Sequence, residues 1–128
     1  MRKPIDPLGT TEMEVLQNVW ELGEATVSQV HERILNQRKT AYTTIMTTMK
    51  NLVRKGYLSY RAEGVTYIYA ATKTPEEVRG RRLDNLLEKV FKGSSVALVQ
   101  TLVEQDRLSE AERAEIRALI AQLDDRAA

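Results

Sequence analysis

The 128-residue chain contains no cysteine, which removes several chemistries at once. Without cysteine there is no disulfide, no thiolate-ligated zinc site and no thiol redox centre. The chain also lacks an uninterrupted apolar run of about 18 residues, which a membrane-spanning helix requires. Its first residues, MRKPIDPLG, lack the apolar segment of a secretory signal. We therefore expect a cytoplasmic protein that makes no membrane contact.

Residues suited to catalysis are equally scarce. The single histidine, His31, lies beside Glu32 in a predicted helix, where a lone histidine is usually solvated rather than catalytic. No H-E-x-x-H or C-x-x-C spacing and no Gly-rich phosphate loop occurs. The sequence therefore predicts no catalytic residue, no metal site and no cofactor, and an enzyme is not expected.

The net charge of +1 hides an uneven distribution along the chain. Residues 1–73 hold ten Lys and Arg against seven Asp and Glu, whereas residues 74–128 hold nine against eleven. The stretch from Arg38 to Arg61 contains six basic residues and no acid. Such a stretch on a nearly neutral protein indicates either a site for a polyanion or a solvated basic surface, and charge alone favours neither.

The N-terminal part carries start and stop signals for three short helices. They are predicted from Thr11 to Leu22, from Thr26 to about Asn36, and from about Ala41 to Lys55. Thr11 with Glu14 and Thr26 with Gln29 have the spacing of capping boxes. Gly23 and Gly56 are expected to end the first and third helices, and Asn36 the second in a left-handed conformation.

After Gly56 the hydrophobic period changes from 3.6 to 2. Residues 57–62 and 65–70 are rich in aromatic and β-branched residues and predict a β-hairpin, with its turn at Glu63-Gly64. Tyr67 and Tyr69 would share one face of this hairpin and pack on the helices. Three helices followed by a hairpin is the arrangement of a winged helix-turn-helix.

The third predicted helix is unusual because threonine, a mediocre helix former, occurs five times between residues 40 and 48. Viewed along the helix axis, one face is apolar and the opposite face carries threonines followed by basic residues. The apolar face holds Ile45, Met49, Leu52 and Val53, and the opposite face holds Thr43, Thr47, Lys50 and Arg54. Exposed helix positions more often hold Glu, Lys, Gln or Arg, which have better helix propensity.

Such a face suits the major groove of DNA. Threonine is short enough to let the backbone approach base edges, its hydroxyl donates or accepts, and its methyl can contact a thymine methyl. The predicted phosphate contacts are Lys39, Lys50, Arg54 and, on the hairpin, Arg61. One alternative is a merely polar exposed face. Another is a winged helix that binds only protein, which would not need an acid-free basic stretch.

Three further helices are predicted after residue 73. The first opens at Thr74-Pro75 and runs to about Lys92, the second runs from Ser94 or Ser95 to about Gln105, and the third opens with Ser109 and Glu112 and reaches about Leu123. The middle helix is apolar around most of its circumference, so it needs cover on more than one side.

A second copy of the chain would supply that cover, because closed two-fold symmetry is the commonest way to assemble identical chains. The predicted dimer interface is Leu86, Val90, Val99, Leu102, Val103, Ile116, Leu119 and Ile120. Packing of these helices on their own winged helix is the alternative. The predicted fold is therefore mainly α with a small β-hairpin wing, in two domains: a winged helix-turn-helix over residues 1–73 and a three-helix dimerisation domain over residues 74–128.

Four segments then follow one another in an order typical of one family. They are LGTTEMEVLQNVWELGEATVSQVHERI (Leu8–Ile34), AYTTIMTTMKNLVRKGYL (Ala41–Leu58), the YIY of the hairpin and LSEAERAEIRALI (Leu108–Ile120). Together they resemble the penicillinase-repressor (BlaI/MecI) family of bacterial transcriptional regulators over nearly the whole chain. The tryptophan-containing first helix combined with AYTTIMTTM is more specific than a generic helix-turn-helix.

The resemblance implies a dimeric repressor whose winged-helix domain binds palindromic operator DNA. It implies that bases are contacted by the start of the recognition helix, here Tyr42, Thr43, Thr44, Met46 and Thr47. Some family members have copper-sensing cysteine clusters, which this chain lacks. Antibiotic-responsive members are inactivated when a sensor protease cuts an Asn–Phe bond in the fifth helix, and the matching position here is Thr101–Leu102.

Overall fold

A computed structural model describes residues 8–127, in two compact units of which the first ends at Gly80 and the second begins at Arg81. The elements are α1 (Thr10–Leu22), β1 (Glu24–Ala25), α2 (Val27–Leu35), α3 (Tyr42–Arg54), β2 (Leu58–Glu63), β3 (Thr66–Ala71), α4 (Pro75–Val90), α5 (Ser95–Glu104) and α6 (Glu110–Ala127). The predicted fold class is confirmed, since helices dominate and the hairpin is the larger part of a small sheet. The proposed domain division at residue 74 stays a prediction.

The first unit is built around one apolar core to which α1, α2 and α3 each contribute a stripe. The large side chains that are fully buried are Val15, Leu16, Val19, Val30, Ile34, Ile45, Met49, Leu52 and Val78. Burying an aliphatic side chain of this size stabilises a fold by roughly 1.5–3 kcal/mol relative to leaving it in water. The 3.6-residue hydrophobic period predicts these stripes, because it brings the apolar residues of each helix to the face that packs on the core.

Two hydrogen bonds fasten the segment that follows β3. The indole Nε1 of Trp20 in α1 donates to the carbonyl of Lys73 at 2.9 Å, and the backbone N–H of Thr72 donates to the carbonyl of Tyr57 at 2.9 Å. A partly buried indole N–H needs such a partner, because leaving it unpaired would cost free energy. The exit from the hairpin is thereby tied to the helices.

The sheet is antiparallel with the strand order β1-β3-β2. The two hairpin strands lie one residue later than predicted, and the turn is Gly64-Val65 instead of Glu63-Gly64. Gly64 is the first of the two central turn residues. Its φ of +61° is the conformation that type II′ turns require at that position, where glycine is preferred. Strand β1 was not predicted, because two residues carry no periodic signal.

Two predicted helix signals are wrong. Thr11 and Glu14 do not form a capping box, because α1 begins one residue earlier and the Glu12 carboxylate accepts from the Gly9 backbone N–H at 2.9 Å. Asn36 is not left-handed but has a φ of −64°. In contrast, the cap of Thr26 with Gln29 is confirmed by bonds of 2.9 and 3.2 Å.

The helices of the second unit begin at their predicted caps. Ser94 accepts from the Ala97 N–H at 3.0 Å at the start of α5, and Ser109 and Glu112 form the capping box of α6 at 3.0 and 3.1 Å. The backbone N–H and side chain of Ser109 lower the pKa of Glu112. Helix α6 continues to Ala127, past the predicted end at Leu123.

Gly80 lies inside α4, and a Cβ built there meets no heavy atom within 4 Å. Since glycine in a helix interior is about 0.5–1 kcal/mol less stable than alanine, we predict that Gly80→Ala raises the free energy of unfolding by that amount. Urea unfolding followed by circular dichroism measures it. Gly64→Ala is the control and should destabilise, because its φ is positive. A destabilised Gly80→Ala protein would contradict the helical assignment at this position.

Candidate nucleic-acid interface

Helix α3 presents two chemically different faces, as its sequence predicts. Ile45, Met49 and Leu52 are fully buried, and Val53 is half-buried against the same core. Thr48 is also buried, and its hydroxyl donates to the carbonyl of Thr44 at 2.7 Å. That bond satisfies the one polar side chain on the buried face, so Thr48 is not available to a ligand.

The opposite face of α3 is open to solvent. Thr43, Thr44 and Thr47 are exposed, and Lys50 and Arg54 continue the same side toward the end of the helix. This surface offers short hydroxyl-bearing side chains first and long cationic side chains after them. Such an order allows close approach near the start of α3 and charge neutralisation farther along.

Tyr42 and Met46, the other predicted base-contacting residues, differ from these threonines in their environment. Tyr42 is the first residue of α3 and is 44% exposed, so its ring is accessible. Met46 is half-buried and packs against the core cluster, which leaves only part of its side chain accessible. The structure thus brings Tyr42 to the surface with the threonines and draws Met46 partly inward.

Sequence reasoning missed the position of His31, which was expected to be solvated. Its Nε2 lies 2.8 Å from the carbonyl oxygen of Thr40, just before α3. The rings of His31 and Tyr42 meet edge to face, with centroids 5.7 Å apart and an interplanar angle of 89°. The only sequence signal for this contact is that a short connection joins α2 to α3.

Three of the six basic residues between Arg38 and Arg61 are paired with acids from elsewhere in the fold. The pairs are Arg38 with Glu14 at 2.6 Å, Lys55 with Glu12 at 2.9 Å, and Arg61 with both Glu24 and Glu63. Hydrogen bonding to Glu14 raises the pKa of Arg38, and hydrogen bonding to Glu24 and then Glu63 raises that of Arg61. The acid-free stretch is therefore partly neutralised in three dimensions.

Lys39, Lys50 and Arg54 differ from these paired residues. All three are exposed, and no carboxylate of residues 8–127 lies within ion-pair distance of them. Arg54 is near enough to Glu12 to contribute to the lowering of that carboxyl's pKa. These are the cations best placed to neutralise an anion beside the threonines of α3.

The hairpin carries a cluster of tyrosines on one face. Tyr60 lies directly opposite Tyr69, with ring centroids 5.7 Å apart, and its ring also contacts Tyr67 at 4.9 Å. Tyr69 is buried as predicted, but Tyr67 is half exposed, so the prediction that both pack on the helices is wrong for Tyr67. Burial raises the pKa of Tyr69, with smaller contributions from Tyr60, Tyr67 and Tyr42.

Tyr67 lies nearer the turn than Tyr69. At the turn, Val65 is fully exposed. Arg61 lies on the other face of the hairpin, where Glu24 and Glu63 hold its guanidinium. The hairpin therefore presents an aromatic face and a charge-paired face.

The second unit leaves a large apolar surface uncovered. Neither α5 nor α6 contains a buried residue. The predicted interface residues that are exposed are Leu86, Val90, Val99, Val103, Ile116, Leu119 and Ile120, while Leu102 is half-buried. Val96, Val99 and Val103 line an apolar groove of about 400 Å³ along α5. So many neighbouring exposed apolar side chains mark an interaction surface.

Among residues 8–127, no group of three or more His, Cys, Asp and Glu side chains is arranged to hold a metal ion. Within the same part of the chain, no helix combines the length and the apolar character needed to cross a bilayer.

Known proteins similar to this chain point to one family. The family model described as penicillinase repressor matches residues 8–122. The methicillin resistance regulatory protein MecI of Mammaliicoccus sciuri is 26% identical over 113 residues, which is 88% of this chain and 92% of that protein. The transcriptional regulator BlaI of Mycobacterium tuberculosis is 32% identical over 119 residues, which is 91% of this chain and 85% of that protein.

Solved structures show the same fold. The solution structure of the DNA-binding domain of the repressor BlaI aligns with a TM-score of 0.52 at 22% identity, covering 59% of this chain and 93% of that domain. The complex structure of hsRosR-S1 aligns with a TM-score of 0.53 at 17% identity, covering 94% of this chain and 93% of that one.

The Glu12–Lys55 pair joins the start of α1 to the end of α3, and both side chains are only 14% exposed. Burial acts to raise the pKa of Glu12, but the Gly9 N–H and the Lys55 ammonium outweigh it and hold the pKa below its usual value of 4.5. A lowered folded-state pKa stabilises the fold above pH 4.5, and this contribution is lost as pH falls through the folded pKa.

We predict that Glu12→Gln lowers the free energy of unfolding at pH 7 by about 1–3 kcal/mol, because a partly buried charged hydrogen bond is lost. The difference from wild type should shrink as the pH falls below the usual carboxyl pKa of 4.5. Urea unfolding at pH 7, 5 and 3.5 measures it. A difference that stays constant over this range would show that the carboxylate charge does not matter.

Proposed function

The chain belongs to the penicillinase repressor family of DNA-binding transcriptional repressors, and we propose that it represses transcription as a dimer that binds palindromic operators through α3. Members of this family are repressors and not enzymes. The exposed, acid-free face of α3 is the observation that carries the proposal. It places Thr43, Thr44 and Thr47 on the same side of α3 as Lys50 and Arg54, which have no ion-pair partner among residues 8–127.

We assign two kinds of contact to this surface. Tyr42, Thr43, Thr44, Met46 and Thr47 contact base edges in the major groove, because they occupy the end of α3 that recognition helices direct toward bases. Phosphates are contacted by Lys39, Lys50 and Arg54, which lack carboxylate partners among the described residues, and by Arg61. Arg61 would exchange its bonds to Glu24 and Glu63 for a phosphate, so we expect it to contribute less.

Dimerisation is proposed through the second unit. The exposed apolar residues of α4, α5 and α6 would be covered by the same residues of a second copy, as two-fold symmetry requires. Two winged helices on one axis would bind half-sites about one helical turn, ~34 Å, apart. Linking them raises the effective concentration of the second and strengthens binding without any new contact.

Proteolytic release is a further prediction of the family resemblance. Thr101 and Leu102 lie inside α5 and are half-buried, and the Thr101 hydroxyl donates to the Ala97 carbonyl at 2.9 Å. A sensor protease could bind this bond only after α5 had locally unfolded. Because Thr-Leu replaces the Asn-Phe pair of the antibiotic-responsive members, cleavage here stays a prediction.

Base contact is tested with Thr44→Ala and Thr47→Ala, which alter exposed side chains and should leave the fold intact. We predict that each lowers operator affinity by about 1–3 kcal/mol, the value of a good base contact, and leaves binding to random DNA unchanged. Lys50→Ala is the matched control. It should weaken binding to both DNAs and reduce the salt slope by about one phosphate.

Fluorescence anisotropy at two salt concentrations measures these affinities, with the operator selected from random DNA by the wild-type protein. Unchanged operator affinity of both threonine variants would contradict the assignment. A folded wild-type protein that selects no DNA sequence would favour the alternative, a winged helix that binds only protein.

Dimerisation is tested with Val103→Glu, because Val103 is 59% exposed within its own chain and its replacement should leave the chain folded. We predict a monomer with steeply reduced operator affinity, since burying an unpaired carboxylate at the interface costs more than the roughly 2–7 kcal/mol of a neutral polar group. Ala114→Glu, opposite the apolar stripe of α6, should stay dimeric. Sedimentation velocity measures the state. A dimeric Val103→Glu protein would place the interface elsewhere.

A further inference from the structure

The start of α3 lacks a side-chain cap of its own. Its N-cap residue is Ala41, which offers no oxygen to the first-turn N–H groups, whereas α2 begins with the side chain of Thr26 and α5 with that of Ser94. The Ala41 carbonyl accepts from the N–H groups of Thr44 and Ile45 at 3.1 and 3.3 Å, but no side chain at the N-cap holds the residues before them. A contact from outside the helix would therefore help to order the end of α3 that we propose to contact bases.

His31 supplies such a contact from α2. A carbonyl oxygen can only accept, so the 2.8 Å contact with Thr40 requires Nε2 to carry the proton and donate. The edge-to-face contact between the imidazole and the Tyr42 ring adds a second point of attachment, at the first residue of α3. Together the two contacts bracket Ala41, the uncapped position.

Helix α2 is anchored in the first unit by buried side chains and by a hydrogen bond to α1. Val30, the residue before His31, and Ile34, one turn later, are buried in the core. Arg33 holds the same helix to α1, because its Nε donates to the Asn18 side chain at 2.8 Å. A side chain based on such a helix can transmit a fixed position to the segment it contacts.

We propose that His31 is a positioning residue for DNA recognition, which orders the first turn of α3 so that Tyr42 and Thr43 meet the bases in a defined orientation. This inference rests on the proposed function of α3. When the first turn of α3 is already ordered in the free protein, less conformational entropy is lost on binding, and the affinity for the cognate sequence is higher. Non-specific binding depends on phosphate contacts and should not need this order.

The experiment measures binding of the full-length chain to a wild-type-selected operator and to a random duplex of equal length. We expect His31→Ala to weaken operator binding about 5- to 30-fold, the factor to which about one or two kcal/mol corresponds. Binding to the random duplex should be unchanged. Ser28→Ala, an exposed neutral change on the same helix, is the control and should alter neither.

Two further variants separate the two contacts. His31→Gln keeps a donor that can bond to the Thr40 carbonyl but removes the ring, whereas His31→Phe keeps the ring edge against Tyr42 but removes the donor. Each should lose part of the operator affinity. In a Tyr42→Ala background, changing His31 to Gln should have a smaller effect than in wild type, because their shared contact is already absent.

Two further measurements test this role. The imidazole ¹⁵N resonances of the wild-type protein should show that Nε2 is protonated, as donation to the Thr40 carbonyl requires. The urea midpoint of His31→Ala should stay near that of wild type, which distinguishes positioning from a merely structural role. If His31→Ala lost equal affinity for operator and random DNA, or kept its operator affinity, the role of His31 would be overturned but the proposed function would not. A wild-type protein that prefers no sequence would instead overturn the proposed function and the inference together.

Discussion

Burial of one face of α3 is the constraint on which the rest of the first unit depends. Ile45, Met49 and Leu52 are fully enclosed between the other helices and the sheet, so α3 cannot rotate about its axis without exposing them. The opposite face is consequently presented to solvent in one orientation. The threonines and cations on it owe their direction to side chains on the other side of the same helix.

The same packing determines which charges remain available. Helix α1 is held against α3 and the connection before it, which brings Glu12 to Lys55 and Glu14 to Arg38. These acids satisfy cations at the edges of α3 and leave Lys50 and Arg54 on its outward face without ion-pair partners among the described residues. The positive charge that is not neutralised by these acids therefore lies on the outward face of α3, where we propose that phosphates bind.

The second unit depends on a different constraint, the shortage of internal cover. Its helices are capped by Ser94 and Ser109, so local structure is well specified, yet no residue of α5 or α6 is fully buried. Removing apolar surface of this extent from water stabilises the assembly that covers it. We propose that a second copy provides that burial, which would couple the assembly of the chain to its DNA binding.

By itself the sequence determined the order and kind of the main elements and the two faces of α3, because hydrophobic period and most helix caps are local signals. It could not determine that Arg38 pairs with Glu14, Lys55 with Glu12 and Arg61 with Glu24, since these acids lie 24, 43 and 37 residues away. The contact of His31 with Thr40 and the exposure of Tyr67 were likewise decided only by the tertiary structure. Each depends on where one packed element ends relative to another, and no local pattern encodes that distance.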